Sequence, residues 1–376
     1  MSEWWPVAVS AVCAAILMPL AIRARSVGHD EPTGVQKLHL VPTSRLGGLV
    51  VIVAYFAALA VAAGIAHGGL SAALPMALAA LPVALIGAVE DLTGRVRPRY
   101  RMIAAVISGA LASAFAGGIV PRLDLPLVDD LLRHLWFVLP LTWFMVAGAC
   151  NAINLIDGAH GLAGGTAFIM FGGIAVAAGW TGDALTLAEA LAAMGALAGF
   201  LVWNYPRGRV FLGDAGAYFI GFMYAELAIR LIARNSGISA WYVIMLAGYP
   251  IVDTLFAMYR RGFVRRVPLM APDALHLHSL VFRRVAMRIE RRTKEPSLQR
   301  ANARVAPRLW LHSALCFALA ALFHDNTPAL WACLAAYTAF YVHRYRTLVR
   351  FGARRARRWE AGMEPGVDAA KRSNVS

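Results

Sequence analysis

The sequence predicts an all-α, polytopic integral membrane protein with about 10–11 transmembrane helices, and three observations carry that prediction. Hydrophobic residues make up 59% of the 376 residues and charged residues only 15%, whereas an ordinary soluble domain has about 25% charged residues. Apolar runs of about twenty residues, long enough to cross a bilayer as a helix, recur from end to end. Lys and Arg concentrate between these runs, as the positive-inside rule describes for membrane proteins.

Eleven apolar runs are the predicted spans. They cover residues 4–22, 47–66, 70–89, 101–119, 135–153, 161–179, 184–203, 215–233, 238–259, 308–323 and 328–345. The first run follows Glu3 and precedes Arg23 and Arg25, which is the reverse of the charge order in a cleaved signal peptide. We therefore expect a retained first helix with an external N-terminus.

Alternation of the spans decides the predicted topology. The segments that fall on one face hold nearly all the Lys and Arg; they are residues 23–46, 90–100, 154–160, 204–214, 260–307 and 346–376. That face is predicted to be cytoplasmic, in an inner (plasma) membrane, with a periplasmic N-terminus and a cytoplasmic C-terminus. Residues 1–345 then form one transmembrane domain, and residues 346–376 form a basic tail that we expect to be disordered.

Charge and cysteine usage exclude other classes of partner and site. The positive-inside asymmetry accounts for the net charge of +15, so we predict no nucleic-acid partner. The four cysteines lie inside apolar runs without a Cys-x-x-Cys pair, which indicates neither structural disulfides nor a zinc site. Glu226 and Arg230 are one helical turn apart in the eighth span, and we expect them to form an intramembrane ion pair.

The first predicted cytoplasmic segment contains the motif QKLHLVPTSRLGG at residues 36–48. Here Lys37, His39 and Arg45 bring positive charge to the membrane surface. Cations at that depth suit a phosphate held at headgroup level. Charges that only set the topology, together with a turn, are the structural alternative.

Two adjacent acids, Glu90 and Asp91, directly follow the third span. Adjacent carboxylates can bind Mg²⁺, or one of them can act as a base. Pairing with Arg95 or Arg97 is the structural alternative. However, negative charge near a helix C-terminus opposes the helix dipole, so stability alone would not select these acids.

The motif NAINLIDGAHGLAGG occupies residues 151–165. Side chains three residues apart on a helix share one broad stripe, so Asn151, Asn154 and Asp157 are predicted to face the same ligand. Two amides and a carboxylate can orient a nucleotide or ligate a metal. Polar helix packing is the structural alternative, although it is costly near lipid.

Two later motifs complete the set of candidates. Asp214 directly precedes the eighth predicted span, in the first turn of its helix, and is predicted to be a second metal-ligating carboxylate, although the helix dipole alone also favours an acid there. The segment PDALHLHSLVFRR at 272–284 contains His276, His278 and Arg283. We predict that these bind a diphosphate, because hard carboxylates suit Mg²⁺ better than imidazole does.

Carboxylates, cations and Gly-rich turns on one membrane face together indicate an active site on the cytoplasmic face for diphosphate chemistry with Mg²⁺. The alternative from another class is a transporter or flippase for a lipid-linked anionic substrate. That alternative predicts broken helices and ionisable residues at mid-membrane.

In this order, the motifs KLHLVPTSRLGG, GAVEDLTGR, NAINLIDGAHGL, VFLGDAGAYFIGF and HLH resemble those of the polyprenyl-phosphate N-acetylhexosamine-1-phosphate transferases, the MraY/WecA superfamily. The resemblance covers roughly residues 36–284. PTSRLGG and HLHS are similar to the WecA-like branch.

The resemblance implies a Mg²⁺-dependent phosphoglycosyltransferase. It implies transfer of HexNAc-1-phosphate from a UDP-HexNAc donor such as UDP-N-acetylglucosamine to undecaprenyl phosphate, with release of UMP. Such a reaction initiates O-antigen (lipopolysaccharide) or other cell-envelope polysaccharide synthesis, and the phospho-N-acetylmuramoyl-pentapeptide transferase of cell wall biogenesis is the alternative within the class. The identity of the sugar, replacement of Mg²⁺ by Mn²⁺ and a homodimer are left open.

The resemblance also implies roles for individual residues. Asp214 and Asp157 match metal ligands, and the catalytic positions match Glu90, Asp91 and Asp157. The substrate-binding positions match Lys37, His39 and Arg45 for the lipid phosphate, Asn151 and Asn154 for the nucleotide and metal site, and His276, His278 and Arg283 for the UDP-sugar.

Two positions depart from the family pattern. Glu90 stands where the family usually has Asp, so a role as base is easier to accept than a role as metal ligand. His160 stands where many relatives have Asp, and we expect it not to be a metal ligand because imidazole is a poor replacement for a hard carboxylate on Mg²⁺. Direct attack by the lipid phosphate is favoured over a route through an aspartyl phospho-sugar.

Overall fold

The computed structural model of the protein describes residues 5–24, 28–30, 43–65, 74–268, 275–293 and 298–360. The predicted phosphate-binding residues Lys37 and His39 lie outside these described residues. The helices are α1 (Trp5–Arg23), α2 (Gly47–Ile65), α3 (Leu74–Thr93), α4 (Pro98–Phe115), α5 (Pro126–Leu132), α6 (Leu135–Ile156), α7 (Leu162–Thr181), α8 (Ala184–Asn204), α9 (Gly213–Arg234), α10 (Ala240–Leu246), α11 (Gly248–Tyr259), α12 (Leu277–Thr293), α13 (Leu298–Ala303), α14 (Val305–Leu322) and α15 (Thr327–Glu360).

The all-α membrane architecture is confirmed. Each predicted span coincides with one helix, or with the pair α10 and α11. In the described part of the chain, seven helices are long and apolar enough to cross a membrane, and the bent pair is an eighth if it forms one span. The three other predicted spans coincide with α2, α4 and α15, which do not meet that criterion over their described residues.

Besides the tail, three segments differ from the prediction: the span 238–259 and the loops 120–134 and 260–307. The predicted span 238–259 is broken after α10, and α11 leaves at an angle of 75° before it ends in a π-helix, Arg260–Arg265. Pro250 explains the break, because it lacks the N–H that would continue the helical hydrogen bonding from α10. The predicted loops also contain the short helices α5 and α13 and the longer α12.

Helix α15 extends to Glu360, so residues 346–360 of the predicted tail are helical in the structure. This stretch reads RTLVRFGARRARRWE, and Arg, Ala and Leu are among the strongest helix formers. A high density of like charge therefore did not prevent helix formation there.

Helix α9 lies at the centre of the bundle. All residues of its most apolar window are buried, and it packs against α2, α3 and α6. The first turn of α9 carries Asp214. The central position of the helix therefore places that carboxylate where several helix ends meet.

Two short strands attach the first predicted cytoplasmic segment to this end of the bundle. Strand β1 (His29–Asp30) pairs antiparallel with β2 (Thr43–Ser44). Ser44 also bridges to Val210, and the N–H of Phe211 donates to the carbonyl of Ser44 at 2.8 Å. The segment before α2 and the segment before α9 are therefore joined by backbone hydrogen bonds.

The predicted ion pair between Glu226 and Arg230 is wrong. Arg230 Nη1 instead donates to both carboxylate oxygens of Glu189 on α8, at 2.9 and 2.8 Å. Neither carboxylate oxygen of Glu226, which is fully buried, has a hydrogen-bond partner among the described residues. A carboxylate on a facing helix can present both oxygens to a guanidinium, and this charge-assisted geometry is the stronger one.

Asp124, in the segment before α5, is a structural residue. It pairs with Arg122 and accepts hydrogen bonds from the Ala240 N–H at 2.7 Å and the Ser239 hydroxyl at 2.9 Å. The Thr327 hydroxyl donates to the same oxygen at 3.2 Å. This carboxylate therefore ties the segment before α5 to the starts of α10 and α15.

We expect Asp124→Asn to destabilise the protein at pH 7 by about 1–2 kcal/mol, because charge-assisted hydrogen bonds become neutral ones. Partial burial raises the pKa of Asp124, but the hydrogen bonds from Ala240, Arg122 and Ser239 outweigh it and hold the pKa below its usual value. A depressed pKa in the folded state stabilises above the unfolded-state pKa of about 3.9 and is lost as the pH falls through the folded-state value.

The difference in melting temperature between the Asn variant and the wild type should therefore shrink below about pH 4. Thermal unfolding of the two detergent-solubilised proteins, at pH 7 and again below about pH 4, measures this difference. Asn tolerates the left-handed backbone at this position, where φ is 55°, so strain does not confuse the comparison. A difference that stays constant with pH would contradict this assignment.

Candidate active site

Three helices meet at the carboxylate of Asp214. Asn154, near the end of α6, donates from Nδ2 to Asp214 Oδ1 at 2.8 Å. Arg101, in the first turn of α4, forms an ion pair with Asp214 Oδ2. The Asp214 side chain keeps 15% of its surface exposed. Two of the predicted residues, Asn154 and Asp214, are therefore brought together at an accessible position.

Asp91 holds the first turn of α9 in place. Its Oδ1 accepts the N–H of Asp214 at 2.8 Å, and its Oδ2 accepts the N–H of Ala215 at 2.9 Å. The residue is only 3% exposed. A carboxylate on the unpaired N–H groups of a helix N-terminus is a favourable arrangement. Asp91 thus lies within the site, but both its oxygens are used to position Asp214.

Gly213 makes this close approach feasible. Its φ is +69°, and a Cβ there would lie 2.6 and 2.7 Å from the Asp91 carboxylate oxygens. The backbone of Arg45 also contacts Gly213, and the charges of Arg45 and Arg101 act on the Asp91 carboxylate. The predicted residue Arg45 therefore belongs to this cluster.

Glu90 lies beside Asp91 with a different function in the structure. Its Oε2 accepts the N–H of Val96 at 2.7 Å and so closes the turn between α3 and α4. The side chain is half-buried. The two acids of the predicted pair therefore have different structural roles. Asp91 positions the start of α9, and Glu90 stabilises the turn that leads to Arg101.

The predicted stripe of Asn151, Asn154 and Asp157, called here the α6 stripe, lies at the end of α6. Asn151 and Asn154 lie one turn apart within α6, and Asp157 is its C-cap residue. All three are half-buried. The next residue, Gly158, contacts the imidazole ring of His278. The end of α6 thus connects the Asp214 cluster with the histidines before and within α12.

The predicted UDP-sugar residues occupy different environments. His276 and His278 are each 5% exposed, and their rings are parallel with centroids 5.7 Å apart. His276 Nδ1 donates to Asp253 Oδ2 at 2.8 Å. Arg283, one to two turns into α12, is exposed. The structure thus places His278 against Gly158, the residue that follows the α6 stripe.

His160 lies against the segment before α9. Its ring nitrogen Nδ1 is 3.2 Å from the carbonyl oxygen of Pro206, to which it donates, and its ring is tilted against Phe211 at 5.9 Å. Its backbone N–H donates to Asn302 Oδ1 at 2.8 Å. The residue is 5% exposed. His160 therefore joins the end of the NAINLIDGAHG motif to α13 and to the segment that precedes Asp214.

We expect His160→Asp to lower stability by about 1–3 kcal/mol, because a buried carboxylate would face the Pro206 carbonyl without a proton to donate. His160→Asn keeps a donor and should lose less. The melting temperatures of both variants in detergent test this prediction. An Asp variant as stable as the wild type would refute the structural role of the imidazole.

Sequence reasoning missed four residues of this region. Arg101 and Asn204 were overlooked because they stand at the ends of apolar runs. Asn204 accepts the Gly161 N–H at 2.5 Å and donates to the Val210 carbonyl at 2.6 Å, so it also supports the segment before α9. Asp253 and Tyr341 lie inside predicted spans. An ionisable residue in a span is a functional candidate by default, so that rule alone would have found Asp253.

The donor set fits a divalent cation. Asp214, Asp157 and the amide oxygen of Asn154 are hard oxygen donors. Mg²⁺ is usually held by one or two carboxylates together with substrate phosphates. Among the described residues no group of three His, Cys, Asp or Glu forms a ready-made cluster.

Comparison of the sequence with known protein families gives a match. Residues 73–232 match the family described as glycosyl transferase family 4. This range contains Glu90, Asp91, the α6 stripe and Asp214. The matched segment therefore includes the whole carboxylate cluster.

Curated relatives match a larger part of the chain. A probable undecaprenyl-phosphate N-acetylglucosaminyl 1-phosphate transferase of Bacillus subtilis is 29% identical over 280 residues, which are 72% of this chain and 74% of the relative. The phospho-N-acetylmuramoyl-pentapeptide-transferase of Frankia casuarinae is 30% identical over 293 residues, covering 68% of this chain and 80% of the relative. That of Shouchella clausii is 32% identical over 254 residues, covering 61% and 76%.

Proposed function

This chain belongs to glycosyl transferase family 4, the superfamily of polyprenyl-phosphate sugar-1-phosphate transferases, and we propose that it transfers HexNAc-1-phosphate from a UDP-sugar to undecaprenyl phosphate. The products are UMP and a lipid-diphosphate sugar. The observation that carries this proposal is the accessible carboxylate of Asp214, held by Asn154, by Arg101 and, through its backbone, by Asp91.

Asp214 and Asp157 are the proposed ligands of Mg²⁺, with Mn²⁺ as a substitute. When bound, the cation neutralises charge on the donor diphosphate. Arg101 already pairs with Asp214, so this guanidinium is placed to exchange its carboxylate partner for a phosphate oxygen when substrates bind. Arg45 supplies a second cation near the Asp91 carboxylate.

Each remaining residue has a proposed role. Lys37, His39 and Arg45 bind the lipid phosphate, while His278 and Arg283 bind the donor diphosphate. Asn151 and Asn154 orient the nucleotide. Glu90 is a better candidate for the base than Asp91, since both oxygens of Asp91 accept backbone N–H groups. In this proposal the lipid phosphate attacks the donor directly.

The WecA-like branch is preferred to the muramoyl-pentapeptide transferase. Its support is a relative named for N-acetylglucosaminyl 1-phosphate transfer together with the HLHS and PTSRLGG motifs. The reaction would initiate O-antigen or another cell-envelope polysaccharide at the cytoplasmic face of the inner membrane, with the N-terminus periplasmic.

A donor panel tests the proposal. Purified protein in detergent is mixed with undecaprenyl phosphate, Mg²⁺ and one of several UDP-sugars, and UMP release is measured. We expect release with a UDP-HexNAc and none with UDP-MurNAc-pentapeptide. The reverse pattern would assign the chain to the muramoyl branch. Translocation of a lipid-linked anion by proteoliposomes, without UMP release from any donor, would favour a flippase.

A further inference from the structure

A buried acid, Asp253, lies directly behind the histidines that were predicted from the sequence. It belongs to α11, is 1% exposed and accepts three hydrogen bonds. The donors are His276 Nδ1 at 2.8 Å, the Leu277 N–H at 3.2 Å and the Tyr341 hydroxyl at 2.5 Å. None of these four residues has a role in the function proposed above. Together they connect α11, the start of α12 and α15.

A second contact holds the same stretch of backbone. Arg260, at the end of α11, donates from Nη1 to the Leu275 carbonyl at 3.0 Å and to the Tyr345 hydroxyl at 2.8 Å. Residues 275–278, called here the histidine segment, are therefore bonded to α11 at two points, by Asp253 and by Arg260. Two tyrosines of α15 bond these two α11 residues in turn: Tyr341 bonds Asp253 and Tyr345 bonds Arg260.

The histidine segment transmits this arrangement to the α6 stripe. The rings of His276 and His278 differ in plane by only 7°. A Cβ on Gly158 would lie 2.9 Å from two carbons of the His278 ring, closer than real Cβ atoms approach. The His278 ring therefore lies against Gly158, the residue after Asp157, and parallel to the His276 ring, whose Nδ1 Asp253 holds.

We propose that Asp253 and Tyr341 are positioning residues, which orient His276 and thereby hold His278 in place to bind the diphosphate of the donor. This inference rests on the proposed function. An ionised carboxylate can only accept, so its bond to Nδ1 keeps that nitrogen protonated and determines the tautomer of His276. Partners behind a ligand-binding histidine fix both its tautomer and its ring orientation in the same way in metal sites.

Asp253→Asn tests this role with little change in shape. The amide retains one oxygen and introduces an N–H₂ group, so either His276 must adopt the other tautomer or the Leu277 N–H loses its acceptor. We expect the dissociation constant for UDP and the KM for the UDP-sugar to rise about tenfold. Removal of a group that orients a ligand-binding histidine usually lowers affinity or activity by about 10–100-fold, and tenfold is the lower end of that range. The KM for undecaprenyl phosphate should not change.

Tyr341→Phe removes one of the three donors and should raise the same two constants by about threefold. Adding it to Asp253→Asn should cause no further loss, because both changes act through one carboxylate. Tyr242→Phe is the matched control, since that buried hydroxyl donates to the Gly173 carbonyl at 2.7 Å, away from the histidine segment. It should leave both constants as in the wild type.

UDP binding is measured by calorimetry and both KM values by UMP release. Unchanged UDP affinity in both Asp253→Asn and Tyr341→Phe would overturn the inference, as would a wild type that does not bind UDP. If Asp253→Asn does not fold, Tyr341→Phe alone decides. A merely structural role would lower the amount of active protein and leave both KM values unchanged. A wild type that binds UDP but releases no UMP would refute the proposed function, while the binding data still judge the inference.

Discussion

Asp214→Asn should nearly abolish UMP release, with a loss of about 10²–10³-fold, the size expected when a group that stabilises transition-state charge is removed from a preorganised site. The amide still accepts a hydrogen bond, but it removes the negative charge that would hold a cation. It also leaves the Arg101 guanidinium, now paired with that charge, without its partner. The rate is measured with the best donor of the panel at saturating Mg²⁺.

Asp183→Asn is the control for this variant. Asp183 is also an acid at a helix N-terminus paired with an Arg; it caps α8, accepts from Thr186 and pairs with Arg234 at 3.2 Å. It lies at the end of α8 that is remote from Asn204 and should leave turnover nearly normal. Gel filtration of both variants shows whether folding survives. A near-normal rate in Asp214→Asn would remove Asp214 from the proposed metal site.

The second large effect concerns stability. Glu189→Leu should destabilise the protein by roughly 3–5 kcal/mol, because it leaves the Arg230 guanidinium buried without the carboxylate that now bonds it. Arg230 is 8% exposed, so water cannot replace the lost partner easily. Thermal unfolding in detergent measures the change.

Glu226→Leu provides the matched comparison, since Glu226 is an equally buried acid on the helix that carries Arg230. Neither of its oxygens is hydrogen-bonded within the described structure, so its removal should cost little or even stabilise. The two variants separate a bonded from an unbonded buried carboxylate. Equal losses in both would show that Arg230 uses either acid, and would contradict the assignment.

The sequence predicted the helical architecture well because membrane-spanning helices must be long and apolar, and both properties can be read directly from the order of the residues. It also predicted that Asn154 and Asp214 belong to one site, since both stand at helix ends on the same predicted face, and their side chains are hydrogen-bonded. Proximity between helix ends follows from topology, and topology follows from the distribution of Lys and Arg.

Side-chain partners could not be predicted in the same way. The spacing of Glu226 and Arg230 favoured a pair within one helix, but the choice of Glu189 depends on how α8 packs against α9. The hydrogen bond by which Asp91 holds the start of α9 likewise joins Asp91 and Asp214, which are more than a hundred positions apart in the chain. Such contacts leave no periodic pattern in the sequence, so local spacing cannot indicate them.

The burial of α9 has a consequence for how the protein is made. This helix carries Asp214, Glu226 and Arg230, which would be costly to expose to lipid acyl chains if the helix entered the membrane alone. Helices α2, α3, α6 and α8, against which it packs, precede it in the chain, and α8 contributes Glu189. During synthesis, α9 can therefore leave the insertion machinery into a protein-lined space that already contains the partner of Arg230.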